Sequence, residues 1–133
     1  MTIDELHKLW EKRNHGKAAN SEHDLQVSCV NWFRFMYPEY AHLLFAIPNG
    51  GYRSKTTARY MKAEGQLAGV PDIFLAVSKH KQHGLWIEMK NGKAGRVSDK
   101  QTDMMARLMQ QGYECRIARS MEDFQNIINE YII

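Results

Sequence analysis

Two short apolar runs, Ile73-Phe74-Leu75-Ala76-Val77 and Leu85-Trp86-Ile87, stand either side of the polar residues 78–84. Their β-branched and aromatic content, their shortness and the flanking Pro71 and Gly84 read as strands, expected over 73–78 and 84–90, with the polar stretch as a hairpin loop. Antiparallel pairing through that loop brings the residues that enter the first strand, Gly69-Val70-Pro71-Asp72, opposite those that end the second, Glu88-Met89-Lys90. Successive strand residues alternate faces, so Glu88 and Lys90 point the same way while Met89 points to the core. Two carboxylates and one ammonium therefore converge on one spot.

The rest of the chain surrounds this hairpin with helices. Residues 1–13 carry Ile3, Leu6, Leu9 and Trp10 at helical spacing, and loop-forming residues follow up to Asn20. Ser21 is an N-cap with Glu22 and Asp24 in the next turn, and Leu25, Cys29, Trp32 and Met36 form a buried stripe that Pro38 ends. A strand is expected over 43–47 and a helix over about 55–64, closed by Gly65. Ser98 and Gln101 fit a capping box for a helix that ends at Gly112 in the C′ position. A strand over 113–118 and a helix from the Ser120 cap to about 131 complete the order α-α-β-α-β-β-α-β-α. The fold class is α/β, a mixed sheet of about four strands flanked by helices. We expect an N-terminal helix and linker over 1–20 and one domain over 21–133.

Composition narrows the function classes. With 44% hydrophobic and 25% charged residues in 133, the chain is an ordinary globular one. No apolar run approaches the ~18 residues of a membrane span, and no secretory segment opens the chain, so a cytoplasmic protein without membrane contact is expected. Cys29 and Cys115 form no ligand pair and are expected to be reduced, buried thiols. The six histidines show no zinc spacing, and a net charge of +3 says little about nucleic acid by itself. The three tryptophans, Trp10, Trp32 and Trp86, are expected in the core.

The converging polar set suits one chemistry. Hydrolysis of a phosphodiester needs charge stabilisation on the phosphate and hydroxide near neutral pH, and a hard divalent ion such as Mg2+ or Mn2+ supplies both. Asp72 and Glu88 would be its side-chain ligands and the Met89 carbonyl a third oxygen. Lys90 would orient the attacking water or neutralise developing charge. Asp72, as an exposed strand-end residue, is expected to contribute little to stability.

Val70-Pro71-Asp72 with Glu88-Met89-Lys90 resembles the PD-(D/E)xK nuclease signature. Glu22-x-x-x-Gln26, Ile47-Pro48-Asn49-Gly50-Gly51, Gly69-Val70-Pro71-Asp72, the Ser98-x-x-Gln101 helix start and Gly112-Tyr113-Glu114-Cys115 together resemble the VRR-NUC domain over about residues 21–132. The resemblance implies a restriction-endonuclease-like core in a stand-alone protein of bacterial or phage type. It further implies Glu22 as a member of the acidic set, Gln101 as a residue beside the site, and a homodimer that cuts branched DNA such as Holliday junctions.

Basic residues cluster around the same segments. Lys55, Arg59 and Lys62 share one helix face, Arg53 and Asn49 precede them, and Lys93 and Arg96 follow Lys90; all are expected to track DNA phosphates. The competing readings are a non-catalytic nucleic-acid-binding module on the same fold and a small-molecule phosphohydrolase. The latter is disfavoured because no GxxxxGK[ST] phosphate loop is present.

Overall fold

A computed structural model describes residues 1–15, 21–48 and 54–133. Among these residues five α-helices and four strands follow in the order α1 (Ile3–Arg13), α2 (Glu22–Met36), β1 (Leu44–Ala46), α3 (Lys55–Ala63), β2 (Ile73–Leu75), β3 (Leu85–Met89), α4 (Asp99–Gln110), β4 (Glu114–Ala118) and α5 (Met121–Ile132). The sheet order is β1-β2-β3-β4; β1 pairs antiparallel with β2 and β2 with β3, and β4 runs parallel to β3. This is the mixed four-stranded α/β sheet that the hydrophobic pattern implies, and α4 is the crossover that parallel pairing of β3 and β4 requires.

Local chemistry explains the boundaries. The Ser21, Ser98 and Ser120 side chains accept the N–H groups of Asp24, Gln101 and Asp123, each satisfying an orphan donor of the first helical turn. Gly112, with φ of +89°, leaves α4 in the left-handed conformation that ends many helices. The hairpin turn places His80 and Lys81 at φ of +52° and +66°, the backbone sense that matches the twist of β2 and β3. Two elements differ from the sequence reading: β2 ends at Leu75 instead of continuing to residue 78, and the chain after α2 takes another form. Pro38 stops α2 but opens a 3-10 helix, Pro38–Leu43, which takes Leu43 out of the expected strand. Proline suits a first helical turn because its missing N–H has no partner there in any case.

Pairing of Ile73 with Ile87 and Phe74 with Trp86 divides the sheet into two faces. One face carries Ile73, Leu75, Leu85, Ile87 and Met89, fully buried against Leu25, Cys29, Trp32 and Phe33 of α2 and Phe124 and Ile128 of α5. The other face carries Phe74, Trp86, Glu88 and Lys90. Trp86 thus lies outside the main core, half-buried and stacked on Phe74 at 4.4 Å between ring centres, whereas Trp32 is wholly buried and Trp10 packs at the core margin. Both cysteines are free, Cys29 buried and Cys115 half-buried. Among the described residues no helix is long and apolar enough to cross a membrane.

Candidate active site

Antiparallel registry of β2 with β3 sets Asp72, one residue ahead of β2, beside the end of β3. There Asp72 Oδ2 accepts the backbone N–H of Met89 at 2.8 Å. Asp72 is half-buried and hydrogen-bonded into the sheet. The expectation of an exposed carboxylate with little structural weight is therefore corrected: it caps a main-chain donor that would otherwise lack a partner. The N–H and carbonyl of one strand residue point to the same side, so the Met89 carbonyl lies on the Asp72 side.

Glu88 is the most unusual residue of the chain. It is a carboxylate with 2% of its surface exposed, at the centre of the sheet. Its Oε2 accepts from Gln101 Nε2 at 2.8 Å and pairs with Lys90 Nζ at 3.3 Å. Its Oε1 is buried and has no hydrogen-bond partner among the described residues. Burial, then the charge of Asp72, push the Glu88 carboxyl up to about 7, against the opposing pull of Lys90. Desolvation outweighs the ion pair because one ammonium offsets only part of the lost hydration.

Gln101 reaches Glu88 because α4 starts where it does. Its side-chain oxygen accepts the N–H of Ser98 at 2.9 Å, completing the capping box, and this leaves the amide NH2 to donate to Glu88. One side chain thus joins a helix start to a buried acid. Glu22, first residue of α2, also faces the site: its carboxyl is raised by burial and then by the charge of Asp72, with Lys90 lowering it. The structure therefore brings Glu22, Asp72, Glu88, Lys90 and Gln101 into one electrostatic unit.

The donor set fits a hard divalent cation. Three carboxylates face one ammonium, and among the described residues one buried carboxylate oxygen has no hydrogen-bond partner. Among the described residues no three His, Cys, Asp or Glu side chains are gathered closely enough to hold an ion by themselves. Mg2+ needs no such cage, since it binds through one or two carboxylates and keeps water on its remaining positions. Asp72 and Glu88, with the Met89 carbonyl, could hold it on those terms, and Glu22 could act through water.

The basic residues divide into two groups. Lys55, Arg59 and Lys62 are exposed on α3, a helix with no buried residue, and Lys93 and Arg96 are exposed on the loop after Lys90. Asn49 and Arg53 lie outside the described residues. Two positions escaped sequence reasoning. Gly69 has φ of +92°, and a Cβ there would sit 2.6 Å from the Lys100 carbonyl oxygen, so only glycine lets the Val70-Pro71-Asp72 approach rest on the first turn of α4. Its place ahead of Val-Pro-Asp was the available signal. Arg119, just beyond β4, donates from Nη1 to the carbonyls of Gly92 and Gly95, and no local pattern announces it.

Comparison with known proteins bears on the family and the fold. The sequence pattern of the VRR-NUC domain family matches residues 6–122, which takes in most of α1, the whole sheet and α2 to α4, and stops at the start of α5. A solved structure described as a VRR_NUC domain protein superposes with a TM-score of 0.75 at 22% identity, covering 87% of this chain and 91% of that one. No curated protein matches the sequence.

Proposed function

From a chain that belongs to the VRR-NUC family, a PD-(D/E)xK type of nuclease domain, we propose a divalent-metal-dependent endonuclease that hydrolyses DNA phosphodiester bonds, acting by preference on branched DNA such as Holliday junctions. The observation that carries the reading is the buried Glu88, one oxygen held by Gln101 and Lys90 and the other without a hydrogen-bond partner among the described residues. A carboxylate so placed is unfavourable for folding alone and fits a site that holds a cation.

When bound by Asp72, Glu88 and the Met89 carbonyl, Mg2+ or Mn2+ supplies positive charge at the scissile phosphate and acidifies a water. The protein groups do the rest. Gln101 fixes the rotamer of Glu88 by holding Oε2, and Asp72 is fixed by the Met89 N–H, so neither ligand must be ordered during the reaction. Lys90, its side chain 14% exposed, presents a desolvated ammonium that orients the attacking water and neutralises charge as the phosphate is attacked. Glu22 adds negative charge at the α2 N-terminus and orders water at the margin. Lys55, Arg59, Lys62, Lys93 and Arg96 hold the phosphate backbone, and Asn49 and Arg53 take the same role on the strength of their residue types. A homodimer would place two such sites to cut two strands of a junction, and light scattering at micromolar concentration tests it. A DNA substrate implies a cytoplasmic protein of a bacterial or phage-infected cell.

The test is cleavage of a labelled four-way junction beside linear duplex, with Mg2+, Mn2+ or EDTA, for wild type and Lys90→Ala. Metal-dependent symmetric cuts at the junction should fall by at least about 10²-fold in the variant, with DNA affinity retained. Cleavage by K90A at the wild-type rate overturns the assignment of Lys90. Tight junction binding without cuts under either metal favours the non-catalytic module, and equal cutting of both substrates removes the branch preference while keeping the chemistry.

A further inference from the structure

Beyond β3 the chain forms a basic loop, residues 91–97, whose position is set by Arg119. Arg119 Nη1 donates to the Gly92 carbonyl at 3.1 Å and to the Gly95 carbonyl at 2.5 Å, while the Arg119 carbonyl accepts the Gly92 N–H at 3.1 Å. Arg119 is itself pinned, because Asp123 Oδ2 accepts its backbone N–H at 2.9 Å. The stapled loop lies along Lys90: a Cβ on Gly95 would be 3.1 Å from the Lys90 Cβ. Against the other side of Gly95 opens a cavity of about 690 Å³ lined by Lys93, Arg96, Ser98, Asp99 and Arg119. Three cations and one carboxylate make that cavity electropositive.

We infer that this cavity seats a backbone phosphodiester of the substrate strand next to the one that is cut, with Arg119 as its preorganised anchor. Gly95 belongs to both places, touching the Lys90 stem and walling the cavity, so the seat adjoins the reacting centre without coinciding with it. A guanidinium already fixed through Nη1 loses little further freedom when its remaining N–H groups meet an anion, and its planar fork suits phosphate oxygens. Asp99 on the rim tolerates a singly charged diester better than a doubly charged terminal phosphate. The seat rests on the nuclease reading and extends it to a second phosphate.

Binding of a fluorescent duplex to the full chain in EDTA, across a salt series, tests the seat without cleavage. Arg119→Ala and Arg96→Ala should each weaken binding about tenfold near 0.1 M salt and reduce the slope of log affinity against log salt by about 1. Lys81→Ala, on the distant hairpin turn, should change neither. Arg96 takes no part in the staple, so loss with R119A alone would mean that Arg119 only holds the loop, and would overturn the seat; unchanged slopes in both variants would do the same. A 5′-phosphorylated duplex should bind no tighter than an unphosphorylated one, and tighter binding would overturn the choice of an internal diester. Intact slope changes in a protein that cuts no DNA with Mg2+ or Mn2+ would sink the nuclease reading and leave the seat standing.

Discussion

Glu88 makes the folded protein sensitive to pH in a direction opposite to that of most carboxylates. A carboxyl raised from 4.5 to about 7 binds its proton more tightly folded than unfolded. Its contribution to stability is fully present below pH 4.5 and is lost as pH rises through 7, with the loss complete about a unit above. At ~1.4 kcal/mol for each pH unit, that displacement amounts to about 3 kcal/mol. The carboxylate is 2% exposed, so solvent screening removes little of it. For a chain of this size the loss corresponds to a fall in Tm of roughly 10 °C. The assay is thermal unfolding in EDTA at pH 5, 6, 7 and 8 for wild type and Glu88→Gln, which keeps the shape and removes the charge. The wild type should lose stability relative to E88Q across this range, because every other group is common to the two proteins and the difference isolates Glu88. Mg2+ should restore wild-type stability more at pH 8 than at pH 5, since the ion replaces the proton, and should do little for E88Q. Parallel curves for the two proteins in EDTA would refute the reasoning, since they would mean that burial of Glu88 carries no charge penalty.

Three further outcomes follow from the same geometry. Gln101→Ala removes the capping-box acceptor and the bond to Glu88 together and should cost about 1–2 kcal/mol in denaturant unfolding, whereas Gln101→Glu keeps the cap and sets a second carboxylate against Glu88, moving the acidic limb of the cleavage pH profile upward by about one unit. Asp72→Ala leaves the Met89 N–H without its acceptor and should destabilise by about 2 kcal/mol; Asp72→Asn retains an acceptor, relieves Glu88 of a repelling charge and should gain stability at pH 8 in EDTA while losing Mn2+ affinity by calorimetry. Gly69→Ala forces a side chain into the left-handed region against the Lys100 carbonyl and should cost at least about 1–2 kcal/mol, with a larger loss of cleavage than of DNA affinity; an unchanged Tm would refute the close approach of that loop to α4.

Most of the elements, and the strand pairing that makes the site, are legible along the chain. Serine caps at 21, 98 and 120, glycine at 112 and the hairpin between two apolar runs act within a few residues of themselves, so their consequences are legible along the chain. Alternation along β3 likewise assigned Glu88 and Lys90 to one face before any tertiary contact was known. The local rules failed first at Pro38, which can end one helix and begin another turn with equal ease, and at Asp72, whose burial depends on the neighbouring strand. The desolvation of Glu88, the donation of the capping glutamine's amide to that acid, and the stapling by Arg119 of a loop 24 to 27 residues away in sequence arise from packing between distant segments. Desolvation and charge coupling are set by whichever groups the fold brings within a few ångströms, and neighbours that lie far apart in the chain leave no periodicity to read.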